Sequence, residues 1–271
     1  MDYARTQMDG FQDVYAASSG GHAIYEDQIV YEIDMYRLLK GVDYILQLEG
    51  FYHDSKSNLA TLVFPYLVGD HTPDTPEEIR SYMWQLLRAL AELWDRDVVH
   101  CNVKQANIIF DEFGNLTVID FEFAVRRHDL AGQGASDAWR IGNNYYLAPE
   151  IFLEQIGSNS YGLTQFGRRR DMYSAGIILV ELPLGDQDTL FSKGNSLQQF
   201  DQRVEFANRI TSSCNAFAAL HHYDTNGYLQ DTSFHRQGAV LAASMMEWCR
   251  SERFTPKEAL SHAFFDSVRA H

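Results

Sequence analysis

The chain reads as an α+β protein, with a small strand-rich front lobe over about residues 1–67 and a larger helical back lobe over about residues 68–271, together forming one domain. Two observations predict this. Short stretches before residue 68 alternate apolar and polar residues, as half-buried strands do, while a long stretch after residue 77 repeats its apolar residues at helical spacing. The strand readings are "DVYAA" at 13–17, "HAIYE" at 22–26 and "TLVFPYL" at 61–67, with "SSGG" at 18–21 as a turn between the first two. One helix interrupts them at "VYEIDMYRLLKG", where Ile33, Tyr36 and Leu39 share a face. Pro76 and the following glutamates mark a helix start, and "EIRSYMWQLLRALAELWDR" places Ile79, Met83, Leu86 or Leu87, and Leu90 on one side. Helices then dominate to the C-terminus. The lobe boundary falls at about residues 67–77, and the cleft beside it is where a small ligand is expected.

Composition narrows the function classes. Apolar residues make up 45% of the 271 and aromatics 13%, enough for a sizeable core. The formal charge of −15, from 37 acidic against 22 basic residues, argues against nucleic acid and anionic membrane as partners, because phosphate binding needs clustered Lys and Arg. The one dense basic run, Arg168–Arg170, is expected as a short exposed patch or an intramolecular set. Cys101, Cys214 and Cys249 are odd in number and lack metal-ligand spacing, so neither a disulfide framework nor a zinc site is indicated. No leader segment is apparent and no stretch approaches the roughly 20 apolar residues of a membrane span, so an intracellular protein is expected.

Five motifs follow one another in a fixed order: "HCNVKQAN" at 100–107, "DFE" at 120–122, "GNNYYLAPE" at 142–150, "DMYSAGIILVEL" at 171–182 and "RFTPKEALSHAFF" at 253–265. In this order and spacing they resemble the eukaryotic protein kinase domain, Ser/Thr type closest, over nearly the whole chain. The resemblance implies a two-lobe kinase-like fold. It also implies that Glu150 pairs with Arg253, that Asp171 holds the backbone of the catalytic loop, and that residues 120–150 form the activation segment.

For the nucleotide site the resemblance implies ATP and magnesium as cofactors, but the residues depart from the pattern, so binding is expected to be weak or absent. "HAIY" stands where the family has its Val-Ala-Ile-Lys strand, placing Ala23 over the nucleotide and Tyr25 at the phosphate-pairing Lys. No lysine precedes Lys40, so Glu32, the residue that would pair with it, faces the site alone. Counting back from Val14, the expected loop glycines fall on Gln12, Asp9 and Gln7. Pro65 and Leu67, after Phe64, lie in the hinge that would meet adenine. His100, Lys104 and Asn107 match the family's catalytic loop, whereas Asn102 replaces the base Asp, and an amide cannot take a proton near neutral pH. Asn107 and Asp120 supply the hard oxygens a magnesium ion needs. Glu122 replaces the metal-motif Gly, as an added ligand or an outward side chain. Cys101 replaces the Arg that takes an activation-segment phosphate, and is expected to be a buried, inert thiol. Asn143 and Asn144 replace part of the usual Gly-Thr-x-x-Tyr, while Tyr146 remains.

These departures agree with one another. The first reading is a catalytically deficient kinase fold, a pseudokinase, that serves as a binding or allosteric module for protein partners. The alternatives are a divergent active Ser/Thr kinase using Lys104, Asn107 and Asp120, and a kinase-fold transferase moving another group.

Overall fold

Helix α1, Ala23–Leu38, opens the part of the chain that the computed structural model describes: residues 23–54, 59–69, 71–126, 145–151, 169–184, 196–213, 215–222, 224 and 229–269. This corrects the expected strand at 22–26. Ala23–Leu38 contains neither Gly nor Pro, and a helix satisfies its amide groups within the segment, whereas a strand needs a neighbour to pair with. Ala23 and Tyr25 therefore lie in the first turn of α1 rather than on a strand. The expected strand at 13–17 and the turn at 18–21 lie outside the described residues.

Strands β1, Gly50–Asp54, and β2, Leu59–Val63, form an antiparallel hairpin with Phe51 opposite Leu62. The third expected strand is thus shorter than its apolar run. Beyond Val63 the described residues up to Thr75 have no regular structure, and helix α2, Pro76–Asp95, follows. Thr75 Oγ1 accepts from Glu78 N and the Glu78 carboxylate accepts from Thr75 N, a reciprocal capping box with Pro76 in the first turn. The amphipathic reading of α2 holds, since Ile79, Met83, Leu86, Leu87 and Leu90 are all buried.

Four short strands follow within the helical lobe: β3, Val98–Val99; β4, Ile108–Phe110; β5, Leu116–Val118; and β6, Val125–Arg126. They pair antiparallel as β3 with β6 and β4 with β5. Helix α3, Arg169–Leu184, is buried along nearly its whole length and packs on α2 and on α6, Ser233–Met245. Gly176 makes that last approach feasible, because a Cβ there would lie 2.5 Å from Met246 Cγ. The remaining helices are α4, Ser196–Ser213; α5, Ala216–His221; α7, Pro256–Leu260; and α8, Asp266–Arg269.

A chain of aromatic rings joins the front of the molecule to the loops behind it. Phe64 meets Tyr36 at 4.9 Å, Tyr36 meets Phe121 at 5.4 Å, and Phe121 meets His100 at 4.7 Å between centroids. Tyr36, Phe121 and His100 are buried, so this contact fixes α1 against the loops that carry the polar motifs.

Candidate active site

The two ladders deliver the polar loops. β3 leads into residues 100–107, the β4–β5 hairpin returns the chain to Ile119, and β6 carries it away after the 120–124 turn. Both loops contain strained backbone: Cys101 has φ +65° and Asp120 φ +66°, in the left-handed region that non-glycine residues rarely adopt. Side chains from α3 hold the first of these. The Asp171 carboxylate accepts from His100 N at 2.7 Å and Cys101 N at 3.0 Å, and Arg170 Nη2 donates to Cys101 O at 3.0 Å. Burial lifts the Asp171 carboxyl above its usual range, although His100, Arg170 and the two amide donors oppose this. Asp171 thus performs the backbone-holding role expected of it.

His100 is fully buried, and burial holds its imidazole below the usual range despite the nearby Asp171. A neutral ring with the proton on Nε2 fits both contacts, donating to Ile119 O at 3.0 Å and accepting from Asn102 N at Nδ1, 3.3 Å away. Cys101 is the inert thiol expected: its Sγ faces Val99 O at 3.6 Å, and burial pushes it up to about 12. The Arg169–Arg170 part of the basic run is intramolecular, since Arg169 Nη1 donates to the carbonyls of Arg250, Ser251 and Arg253. Arg168 lies outside the described residues.

The chemistry converges on Asp120. Asn102 Nδ2 donates to Asp120 Oδ2 at 3.2 Å, and Asn107 Nδ2 donates to the same oxygen at 2.8 Å and to Asn102 O at 3.0 Å. An ionised carboxylate only accepts, which fixes both amides with their N–H ends inward. The residue at the base position is therefore a hydrogen-bond donor to the metal-motif aspartate. Asp120 Oδ1 and the Asn107 side-chain carbonyl take no hydrogen bond among the described residues, which leaves two hard oxygens of the kind a magnesium ion takes. Lys104 is half-buried at the start of the turn Gln105–Asn107.

Glu32 faces this pair from α1. Burial, followed by the charges of Glu122 and Asp120, pushes its carboxyl up to about 7. Burial, then the charges of Glu32 and Asp120, hold the Tyr36 hydroxyl above its usual range. Glu122 itself is exposed, in line with the outward alternative. Asn102, Asn107, Asp120 and Glu32 are thus brought to one place, and Lys104 lies on the same loop as Asn102 and Asn107. Pro65 and Leu67 are half-buried on the irregular segment between β2 and α2, where Gly69 abuts β4 so closely that a Cβ would meet Ile109 Cγ2 at 2.7 Å and Phe110 O at 3.0 Å.

Sequence reasoning missed a second polar cluster. The buried Glu181 carboxylate accepts from Tyr146 Oη at 2.8 Å and from Gln105 Nε2 at 3.2 Å, tying the end of the activation segment to the catalytic loop. An acid inside the apolar run "GIILVEL" was the available signal. Further back, Glu150 and Arg253 form a two-pronged pair at 2.8 and 3.0 Å, as the resemblance implied.

Comparison with known proteins agrees with this geometry. The protein kinase domain family matches residues 16–265. Glycogen synthase kinase 1 of Pyricularia oryzae is 24% identical over 88% of this chain and 63% of its own length. Protein kinase gsk3 of Schizosaccharomyces pombe is 24% identical over 88% and 64%. Human cyclin-dependent kinase 15 is 27% identical over 85% and 55%. The chain therefore spans less than two thirds of the length of these relatives. Because that family matches residues 16–265 of the 271, the chain belongs to the protein kinase domain family.

Proposed function

We propose that this protein is a pseudokinase, a kinase fold that acts as a binding or allosteric module for protein partners and holds ATP and magnesium weakly or not at all. The observation that carries the reading is the amide of Asn102, which stands at the base position and donates to Asp120 at 3.2 Å. It can neither accept a substrate proton nor add charge for a metal ion. The acidic surroundings support this. Glu32, Asp120 and Glu122 lie within electrostatic reach of one another. A carboxylate about 5 Å from a phosphate, at an effective dielectric of about 20, opposes binding by roughly 3 kcal/mol, or about a hundredfold. Burial lessens that effect near neutral pH, since a carboxyl with its midpoint at about 7 is largely protonated below it.

When bound, a magnesium ion would be held by Asn107 and Asp120 and would neutralise phosphate charge. Lys104, on the same loop as Asn107, is the cation that the resemblance assigns to a transferred group. The free thiols of Cys101 and Cys249 fit a reducing, intracellular setting. Among the described residues no helix is long and apolar enough to cross a membrane.

The rival reading is a divergent active Ser/Thr kinase, favoured by the survival of Lys104, Asn107 and Asp120 on one pair of loops. Radiolabelled ATP incubated with the protein and with a basic test protein separates the two. The pseudokinase reading expects no incorporation above that of Asp120→Ala, and robust incorporation abolished by Asp120→Ala would establish the rival.

A further inference from the structure

Three consecutive carbonyls just before Ala148 are each taken by a side chain from a helix. Arg203 on α4 is fully buried; its Nε donates to Leu147 O at 2.9 Å and its Nη2 to Tyr145 O at 2.7 Å. Between them, Tyr146 O accepts from Ser174 Oγ on α3 at 2.8 Å, while the Tyr146 hydroxyl reaches Glu181. A guanidinium is a planar fork of fixed geometry, so one Arg203 side chain sets the positions of two carbonyls at once. Burying such a cation is costly unless its donors are used, which ties the packing of α4 to the course of residues 145–147.

We propose that Arg203 is a built-in latch that holds Tyr145–Leu147, the end of the activation segment, in one conformation without a phosphate group. Where phosphorylation orders such a segment, it does so by pairing the new charge with an arginine. Cys101 stands where the family's catalytic loop has that arginine, and its thiol is buried against Val99 O. The latch takes a different route, with a cation supplied from α4 that binds main-chain carbonyls and so needs no modification of the segment. This inference holds whether or not the site transfers phosphate.

Hydrogen exchange read by mass spectrometry tests it on the full chain, before and after phosphatase treatment, and on Arg203→Met, Arg203→Lys and the exposed neighbour variant Glu205→Ala. Peptides covering 145–151 should exchange about tenfold faster or more in Arg203→Met and less so in Arg203→Lys, while α2 peptides stay unchanged. Glu205→Ala and phosphatase treatment should leave 145–151 as in the untreated wild type. Wild-type protection of 145–151 in Arg203→Met, or its loss from the wild type after phosphatase, overturns the proposal. If Arg203→Met does not fold, Arg203→Lys decides: faster exchange confined to 145–151 supports the latch and unchanged exchange overturns it.

Discussion

Removing Glu150 should be among the most damaging single changes in the back lobe. Arg253 is fully buried and Glu150 is 11% exposed, so Glu150→Ala leaves a guanidinium in the core without its carboxylate. Breaking such a pair costs about 3–5 kcal/mol. The lower end applies here, because Arg253 keeps Glu247 O at 3.0 Å, Arg169 O at 2.9 Å and the face of Tyr173 at 5.1 Å. At roughly 2–4 °C per kcal/mol for a chain of this size, the melting temperature should fall by about 6–12 °C. Asp95→Ala is the internal control. Asp95 meets Lys257 at the same 2.8 Å, but the Asp95 side chain is 50% and the Lys257 side chain 67% exposed, so its loss should cost no more than about 1 kcal/mol.

The pair also has a pH signature. Burial pushes the Glu150 carboxyl up, but Arg253 outweighs this and holds it below its ordinary value of 4.5. A lowered folded-state value stabilises the protein above the ordinary carboxylate range and is lost as pH falls through the folded value. The gap between wild type and Glu150→Ala should therefore be full at pH 7 and close at strongly acidic pH. Urea unfolding of both variants across that range is the assay. Equal, small shifts for Glu150→Ala and Asp95→Ala at pH 7 would refute the view that burial sets the value of this pair.

Glu32 has the opposite sign. Its folded-state value is raised to about 7 from 4.5, so its ionisation destabilises the fold as pH rises through that interval. Glu32→Gln should raise the melting temperature at pH 8 and have little effect at pH 4, and an equal effect at both would contradict the burial argument. The same protonation should let any ATP bind more tightly at pH 6 than at pH 8, with affinity near neutral pH weaker than about 100 μM; low-micromolar binding in a calorimeter would count against the site described above. Asn102→Asp replaces an amide donor 3.2 Å from Asp120 with a like charge, so the melting temperature should fall at pH 8 and recover when magnesium is added. That variant should still transfer no phosphate, because parts of a catalytic unit do not act additively. Gly69→Ala must displace Ile109 or the Phe110 carbonyl and should cost about 1–3 kcal/mol, seen as a lower denaturant midpoint.

Much of this protein was legible from neighbouring residues alone. The α2 helix announced itself through its period and through Pro76 with the glutamates after it, because both signals are set within a few residues of one another. The loop motifs at 100–107 and 120–122 likewise carry the kinase resemblance in their residues alone, with the amide of Asn102 at the position of the family's Asp. Tertiary structure decided whatever depends on partners distant in the chain. A five-residue alternation at 22–26 could not tell strand from helix turn, and the continuous helix to Leu38 settled it. Strands of two or three residues show no readable period and exist only through pairing, as Val99 does with Val125. The contact between Asn102 and Asp120, the proton affinity of Glu32 and the hold of Arg203 on Tyr145 and Leu147 are likewise products of folding. Charge and hydrogen-bonding capacity belong to a residue's covalent structure and can be read in sequence, whereas burial and the choice of partner belong to the packed chain and set what those groups contribute.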